Sequence, residues 1–321
     1  GLDLYDEYLK HPTPENLRRF SEEGDIHIIN ACFFFGLKAS EVTKIIRQSV
    51  KAVVFGLIYG RSAASIAGAL GRPVEEVEVI MQKFFNRFKA GAGWLKDTVK
   101  FGRKNAYVEA PSGLRRHLWP YLLPETKLTE RNLQSVLAAC DRRANNSPIQ
   151  GLGSGIGYSA ARHLEEATFA RFKKWSMKNK KLPIRNQNMV HDSMEHEVEY
   201  SHIGYALEMI QHSLTFGVQE KCMTTFGMKF PVGLSIDMDI GGALDNVEKW
   251  DGSIENLHVR LEETLVFQRD VMKYDVDVKK ILTKIFTGYL PEFLLEQAKN
   301  GYFTKAADYG MLVDSKAAKI N

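Results

Sequence analysis

Cysteine is scarce in this sequence. Three occur in 321 residues, Cys32, Cys140 and Cys222, far apart and odd in number. That pattern excludes a disulfide framework and offers no zinc-ligand spacing. Long apolar runs are missing as well. No stretch approaches the roughly 18 uninterrupted apolar residues of a membrane-spanning helix, and no signal-like pattern opens the sequence. Internal repeats and low-complexity tracts are absent, which removes solenoids and linker-like chains. Charge of one sign barely accumulates: the net charge is +4, so composition alone does not announce a nucleic-acid binder. What remains is 44% hydrophobic and 26% charged, the make-up of a globular protein with chain enough for one large or two ordinary domains. A reducing cytoplasm is the expected location.

Positive charge does gather locally, at Lys44, Arg47 and Lys51, at Arg115 and Arg116, at Arg142 and Arg143, and from Arg171 to Lys181. The last run reads as a solvated helix end. Up to Gly36 the chain shows turn-like pieces, among them Glu23-Gly24-Asp25. A strongly one-sided helix is predicted over Ser40–Tyr59, ended by Gly60. Further helices are expected near 61–70, 73–89 and 92–104, followed by two short extended pieces between Tyr107 and Leu118. A helix from about Thr129 should be interrupted or restarted at Pro148. Another follows over 151–176, then two strands from Ile184 to Tyr200 with a tight turn at His191-Asp192. An amphipathic helix over 203–226 and a strand from Phe230 to Met238 complete this part. After Trp250 the chain turns helix-rich and charged, with no motif.

The most informative segment runs from Arg47 to Gly60. Arg47, Lys51, Phe55 and Tyr59 recur every four residues. Four residues advance a helix by about 400°, so the four side chains share a sector of about 120°. Two cations lead and two aromatics follow. A nucleoside triphosphate has matching needs along its length, positive charge for its phosphates and a flat apolar surface for sugar and base. An amphipathic helix with two core aromatics and two snorkelling cations is the plainer reading of such a stripe.

The second feature is Val190-His191-Asp192-Ser193 between extended segments. A turn joining two strands projects its aspartate into open space, where it can ligate a hard cation such as Mg²⁺. An aspartate at a turn for its turn propensity alone is the plain alternative. A zinc site using His191 and His196 lacks paired-ligand spacing.

Together these segments resemble family A DNA polymerases, the bacterial DNA polymerase I group. Arg47-x3-Lys51-x3-Phe55-Gly56-x2-Tyr59-Gly60 matches the family's fingers-helix motif at every defining position. Val190-His191-Asp192 matches three residues of its palm motif, with Ser193 in place of the usual glutamate. Arg142-x3-Asn146-x-Pro148-Ile149-Gln150-Gly151 resembles a third motif, and Gly24-Asp25-Ile26-His27 the signature before the fingers. Gly113-Leu114-Arg115-Arg116 fits the hairpin after the fingers, and Phe230 to Trp250 the closing segment. The resemblance implies an α+β fold, a polymerase right-hand palm and fingers, mostly helical with a small antiparallel palm sheet. It divides the chain into a palm segment over 1–36, fingers over 37–118 and palm over 119–250. A helical C-terminal extension of unknown role, 251–321, follows.

The resemblance also implies roles. Arg47, Lys51 and His27 would contact the incoming triphosphate, with Lys51 a candidate proton donor to pyrophosphate. Phe55 would pack on the sugar, and Tyr59 would sit by the templating pair. Asp192 would hold one of two Mg²⁺ ions, with His191 near the primer end. Asn146 and Gln150 would probe the minor groove, where all base pairs present similar acceptors. Arg142 would contact the DNA backbone or the primer end, and Arg115 and Arg116 would bind DNA. Primer-template DNA and deoxynucleoside triphosphates are the implied partners.

Two-metal phosphoryl transfer needs at least two carboxylates holding ions about 4 Å apart. Gly1-Leu2-Asp3-Leu4 fits the second half of the family's first palm strand, so the first catalytic aspartate is expected three residues before Gly1. Asp3 would then be the acidic gate against ribose 2′-hydroxyls. The thumb and any exonuclease are likewise expected upstream, which makes the chain an incomplete enzyme. An N-terminal fragment carrying that aspartate and the thumb is the expected partner, and 251–321 is a hypothetical docking surface. A single-subunit RNA polymerase shares the general plan, but Asp3 with Phe55 favours deoxynucleotides and discrimination against dideoxynucleotides. A noncatalytic DNA-binding subunit is the third reading. A bacteriophage enzyme in the host cytoplasm is the expected source type.

Overall fold

The computed structural model describes residues 24–122, 130–230, 233–243 and 246–299. The expectations placed on Asp3, on the rest of the first palm strand and on the far C-terminus lie outside them. The chain divides into two compact units, Gly1–Gly155 and Ile156–Asn321. Both belong to one fold class, α+β and mostly helical, with three two-stranded antiparallel sheets among the described residues.

The first unit opens with α1 (Ile26–Phe35), a helix where the sequence showed only turn-like pieces. Its sequence, IHIINACFFF, is apolar nearly all round and carries no 3.6-residue period. Its start is nonetheless encoded: Asp25 Oδ1 accepts from the backbone N–H groups of His27 (2.8 Å) and Ile28 (3.1 Å), a side-chain N-cap. Gly36, at φ 70°, ends it. A 3-10 turn at Ala39–Glu41 leads to α2 (Lys44–Ile58), capped by Thr43. The helices α3 (Ala63–Leu70), α4 (Val74–Arg87) and α5 (Lys89–Asn105) follow. One face of α2, Val50, Val53, Val54 and Leu57, joins Ala31 and Phe34 of α1, Ile66 of α3, and Val77, Ile80 and Phe84 of α4 in a single core. Fully burying each such side chain contributes about 1.5–3 kcal/mol, so the opposite face of α2 is displayed from a rigid base.

The hairpin β1 (Tyr107–Glu109) and β2 (Arg115–His117) turns at Gly113, whose φ of 81° suits glycine. The helix α6 then runs from Glu130 to Asn179 without the interruption expected at Pro148. A proline inside a helix removes one hydrogen bond and crowds the carbonyl four residues back. Pro148 is buried, as is Ala144 one turn before it, and packing at this point holds the helix together. The departure from helical dihedrals falls instead at Phe172 (φ −110°, ψ 26°).

In the second unit, β3 (Ile184–Val190) pairs with β4 (Ser193–Val198), with a bulge between Asn186 and Asn188. The helices α7 (Ile203–His212) and α8 (Val218–Phe226) are joined by a π-turn, Ser213–Gly217. A side chain at Gly217 would strike the His163 ring, whose Nδ1 lies 3.1 Å from Ser213 Oγ. The strand expected over Phe230–Met238 is displaced: β5 covers Met238–Gly241 and pairs with β6 (Val247–Trp250). The pairing partner, not the local propensity, sets its limits.

The segment after Trp250 forms α9 (Ile254–Asp270), α10 (Val278–Phe286) and α11 (Glu292–Lys299). Leu257, Leu261, Leu265, Leu282, Ile285 and Leu294 bury with Leu207 and Trp250, and Met238 and Ile240 pack on them. This segment therefore completes the hydrophobic core beneath β5–β6 and α7. Tyr289 stacks on Tyr205 at 3.9 Å, and its carbonyl oxygen occupies the space a side chain at Gly204 would need.

Candidate functional site

In the first unit the four-residue stripe of α2 forms as the sequence spacing predicts. Lys51 and Phe55 are exposed, Arg47 and Tyr59 partly so. The Phe55 and Tyr59 rings stack at 5.8 Å and 11°, and Lys51 Nζ lies 5.8 Å from the Phe55 centroid. His27, from α1, meets Phe55 at 5.9 Å. Gly56 allows this placement because a side chain there would press on Ile66 at 3.1 Å.

Arg47 is held from behind. Asp25 Oδ2 accepts from Arg47 Nε (3.0 Å) and Nη2 (2.6 Å) while Oδ1 caps α1. One carboxylate thus starts a helix and orients the first cation of the stripe, a role that the sequence reading missed. The signal was present: an aspartate immediately before an apolar run is an N-cap pattern. Burial raises the Asp25 pKa, but the hydrogen bonds from Arg47, Ile28 and His27 outweigh it and leave it below the usual value. Burial lowers the His27 pKa, and nearby Arg47 and Lys51 add to that effect against Asp25. His27 Nδ1 is buried without a hydrogen-bond partner among the described residues.

Arg142, Asn146 and Gln150 repeat at four-residue spacing on α6 and so share a face. Gly60, at φ 72°, brings the end of α2 onto this helix: a side chain on Gly60 would lie 3.4 Å from Arg142 Cγ. The structure therefore places Arg142 beside Gly60, next to the C-terminal end of the α2 stripe. Asn146 keeps an amide oxygen buried and unpaired among the described residues. Arg115 pairs with Glu109 across the β1–β2 hairpin and lies over Tyr107 at 4.9 Å. Arg116 points to solvent.

In the second unit, the β3–β4 hairpin pairs Val190 with Ser193 and leaves His191 and Asp192 as a two-residue turn. His191 adopts φ 55°, a left-handed conformation rare outside glycine, asparagine, aspartate and histidine. Ser193 Oγ donates to the Val190 carbonyl (3.0 Å) and closes the turn. His191, Asp192 and Ser193 are exposed, and Asp192 makes no ion pair or hydrogen bond among the described residues. Behind the turn the hairpin is closed: burial pushes the His196 pKa down to about 4, and neither ring nitrogen has a partner among the described residues. An unpaired carboxylate at an exposed turn is a donor that fits a hard divalent cation.

The family model for DNA polymerase family A matches residues 13–245. The chain belongs to DNA polymerase family A. Its match to the thermostable DNA polymerase I of Thermus aquaticus is 34% identical over 143 residues, 44% of this chain and 16% of that protein. The match to DNA polymerase I of Mycobacterium leprae is 29% identical over 225 residues, 70% of this chain and 22% of that protein. The chain thus spans about a fifth or less of these polymerases' length. A solved structure, the POL domain of Pol1 from M. smegmatis in complex with DNA primer-template and dNTP, is similar with a TM-score of 0.52 and 29% identity. That match covers 68% of this chain and 34% of the other. The helical architecture with small antiparallel sheets is the palm-and-fingers fold class of family A polymerases.

Proposed function

We propose that this chain supplies fingers and palm elements of a template-directed DNA polymerase, which adds deoxynucleotides to a primer 3′ end. The α2 stripe carries the proposal. A solvent-facing row of two cations and two stacked aromatics, seated on a buried apolar face, matches a nucleoside triphosphate end to end. In this reading residues 37–118 are fingers and 119–250 palm.

Arg47 and Lys51 bind the triphosphate, and Asp25 keeps the Arg47 guanidinium facing it. Bidentate donors suit phosphate oxygens. His27 borders the same row, its half-buried ring beside Phe55 and held toward the neutral form, which can hydrogen-bond phosphate. Phe55 packs on the sugar, which predicts discrimination against dideoxynucleotides, and Tyr59 lies beside the templating pair. Lys51 is the proton donor to the departing pyrophosphate. Arg142, Asn146 and Gln150 follow the primer-template duplex along one face of α6, and Arg115 and Arg116 contact DNA at the β1–β2 hairpin. Asp192 would hold Mg²⁺, with His191 beside it at the primer end. When bound, the metal pair supplies electrostatic stabilisation of charge on the transferring phosphoryl group.

Primer extension in Mg²⁺ tests the proposal. The 321-residue chain is assayed alone and after mixing with a polypeptide that carries the family's first palm strand and thumb. Template-directed extension that Asp192→Ala abolishes is expected in at least the mixture. Extension that ignores the template, or that survives Asp192→Ala, would sink it.

A further inference from the structure

A cleft of about 430 Å³ opens beside the β1–β2 hairpin, lined by Arg115, Arg116, His117, Trp119 and Pro120 and by Arg143 of α6. It lies within the first unit, and its size falls in the range of roughly 300–1,000 Å³ usual for small-ligand sites.

Its geometry follows from local sequence. Leu118 is buried against Val108, Cys140 and Ala144 and anchors the strand end. Its neighbours His117 and Trp119 therefore lie outside. The Trp119 ring stacks on His117 at 5.2 Å and 15°, and His117 in turn meets Tyr107 at 6.2 Å. Trp119 is 65% exposed, which leaves one indole face open. Tryptophan has the largest apolar surface of any side chain, and displaying it in a parallel stack on His117, in a cleft lined by arginines, forgoes the burial it normally gains.

The far wall is fixed. Tyr121 donates to Asp141 Oδ1 (2.7 Å), and Arg103 Nε reaches the same oxygen (3.0 Å). This clamp ties α6 to the segment carrying Trp119. Arg115 is paired with Glu109 at the surface of the hairpin. Arg116 and Arg143 form no ion pair among the described residues and are exposed. A stacking platform with two free guanidinium groups beside it is the chemistry that holds single-stranded nucleic acid without reading sequence.

We propose that this cleft takes an unpaired nucleotide of a single strand, its base on the open face of Trp119 and its flanking phosphates on Arg116 and Arg143. The proposal rests on the polymerase reading for its choice of nucleic acid over an acidic protein. In a template-directed enzyme the single strand available is unpaired template, so the site would hold template outside the duplex.

The full chain is titrated with a dT oligonucleotide of about ten residues, followed by intrinsic fluorescence and by anisotropy of a labelled copy. Stacking on Trp119 should quench fluorescence in the wild type, and Trp119→Phe should lose that quench while keeping most of the affinity. Trp119→Ala should weaken binding about tenfold or more with an unchanged melting temperature and unchanged affinity for blunt duplex. Arg116→Gln and Arg143→Gln should each flatten the salt dependence by about 0.7 in log–log slope. Full quenching in Trp119→Phe, or wild-type oligonucleotide affinity in Trp119→Ala, would overturn the site. So would quenching by polyglutamate but not by the oligonucleotide, which would indicate an acidic protein partner. Oligonucleotide binding through Trp119 in an enzyme that never extends a primer would leave this site standing and remove the polymerase reading.

Discussion

The α2 stripe and the β3–β4 turn are built on opposite principles. On α2 each functional side chain already has a protein neighbour: Asp25 for Arg47, Phe55 for Lys51 and Tyr59, and His27 for Phe55. At the turn, Asp192 has no ion-pair or hydrogen-bond partner among the described residues, and the backbone alone positions it. The first arrangement suits a large ligand by preorganisation, since less side-chain freedom would be lost on binding. The second leaves a carboxylate unsatisfied until a cation arrives. Mutations should therefore separate the two: Asp192→Ala at the turn should cost activity alone, whereas Arg47→Ala on the helix should cost activity and folding together.

The largest separation is expected at Asp192→Ala. Losing the proposed metal ligand, worth several kcal/mol, corresponds to a rate loss of about 10³-fold or more. The melting temperature should stay within error, because the side chain supports nothing. A matching fall in stability would break the comparison.

The base of the same hairpin should behave differently. The buried His196 ring resists protonation until about pH 4, whereas the unfolded chain takes up that proton near the ordinary value of 6.5. Between those values the unfolded state binds more protons, so stability falls as pH is lowered from 6.5 to 4 and then levels off. The full span is on the order of 3 kcal/mol. Melting curves of wild type and His196→Phe across that range check it, since the variant should lose most of the dependence.

Lys51→Ala should lower the rate of nucleotide insertion by roughly a hundredfold with little change in melting temperature, read from single-turnover kinetics. Arg47→Ala should do both. It removes the proposed phosphate ligand and leaves Asp25 half-buried without its partner, at a cost of about 1 kcal/mol given the partial exposure of the pair. A urea titration alongside triphosphate binding measures the two losses. Equal stability of Lys51→Ala and Arg47→Ala would mean that Asp25 does not support the helix site.

The helix site was legible in the sequence to the extent that it is local. Arg47, Lys51, Phe55 and Tyr59 share a face by periodicity, and the turn at His191-Asp192 follows from two flanking extended runs. What depends on distant partners was not legible. Asp25 meets Arg47 twenty-two residues away, and α1 has no polar face to mark its period. Pro148 predicted a break that buried packing overrides. The strand expected over Phe230–Met238 took its position from pairing with Val247–Trp250. Trp119 carried no motif at all, and its exposure emerges only once Leu118 is seen to be buried.

Gly204 sets a limit on engineering. With the Tyr289 carbonyl filling the space its side chain would need, the turn after α10 is pressed against α7 like a latch, although the match to the family model ends at residue 245. Trimming the chain to the recognisable polymerase segment would strip Leu257, Leu265 and Leu282 from their core and expose an apolar face. Expression boundaries, affinity tags and fluorescent fusions therefore belong beyond Lys299, not at the edge of family similarity.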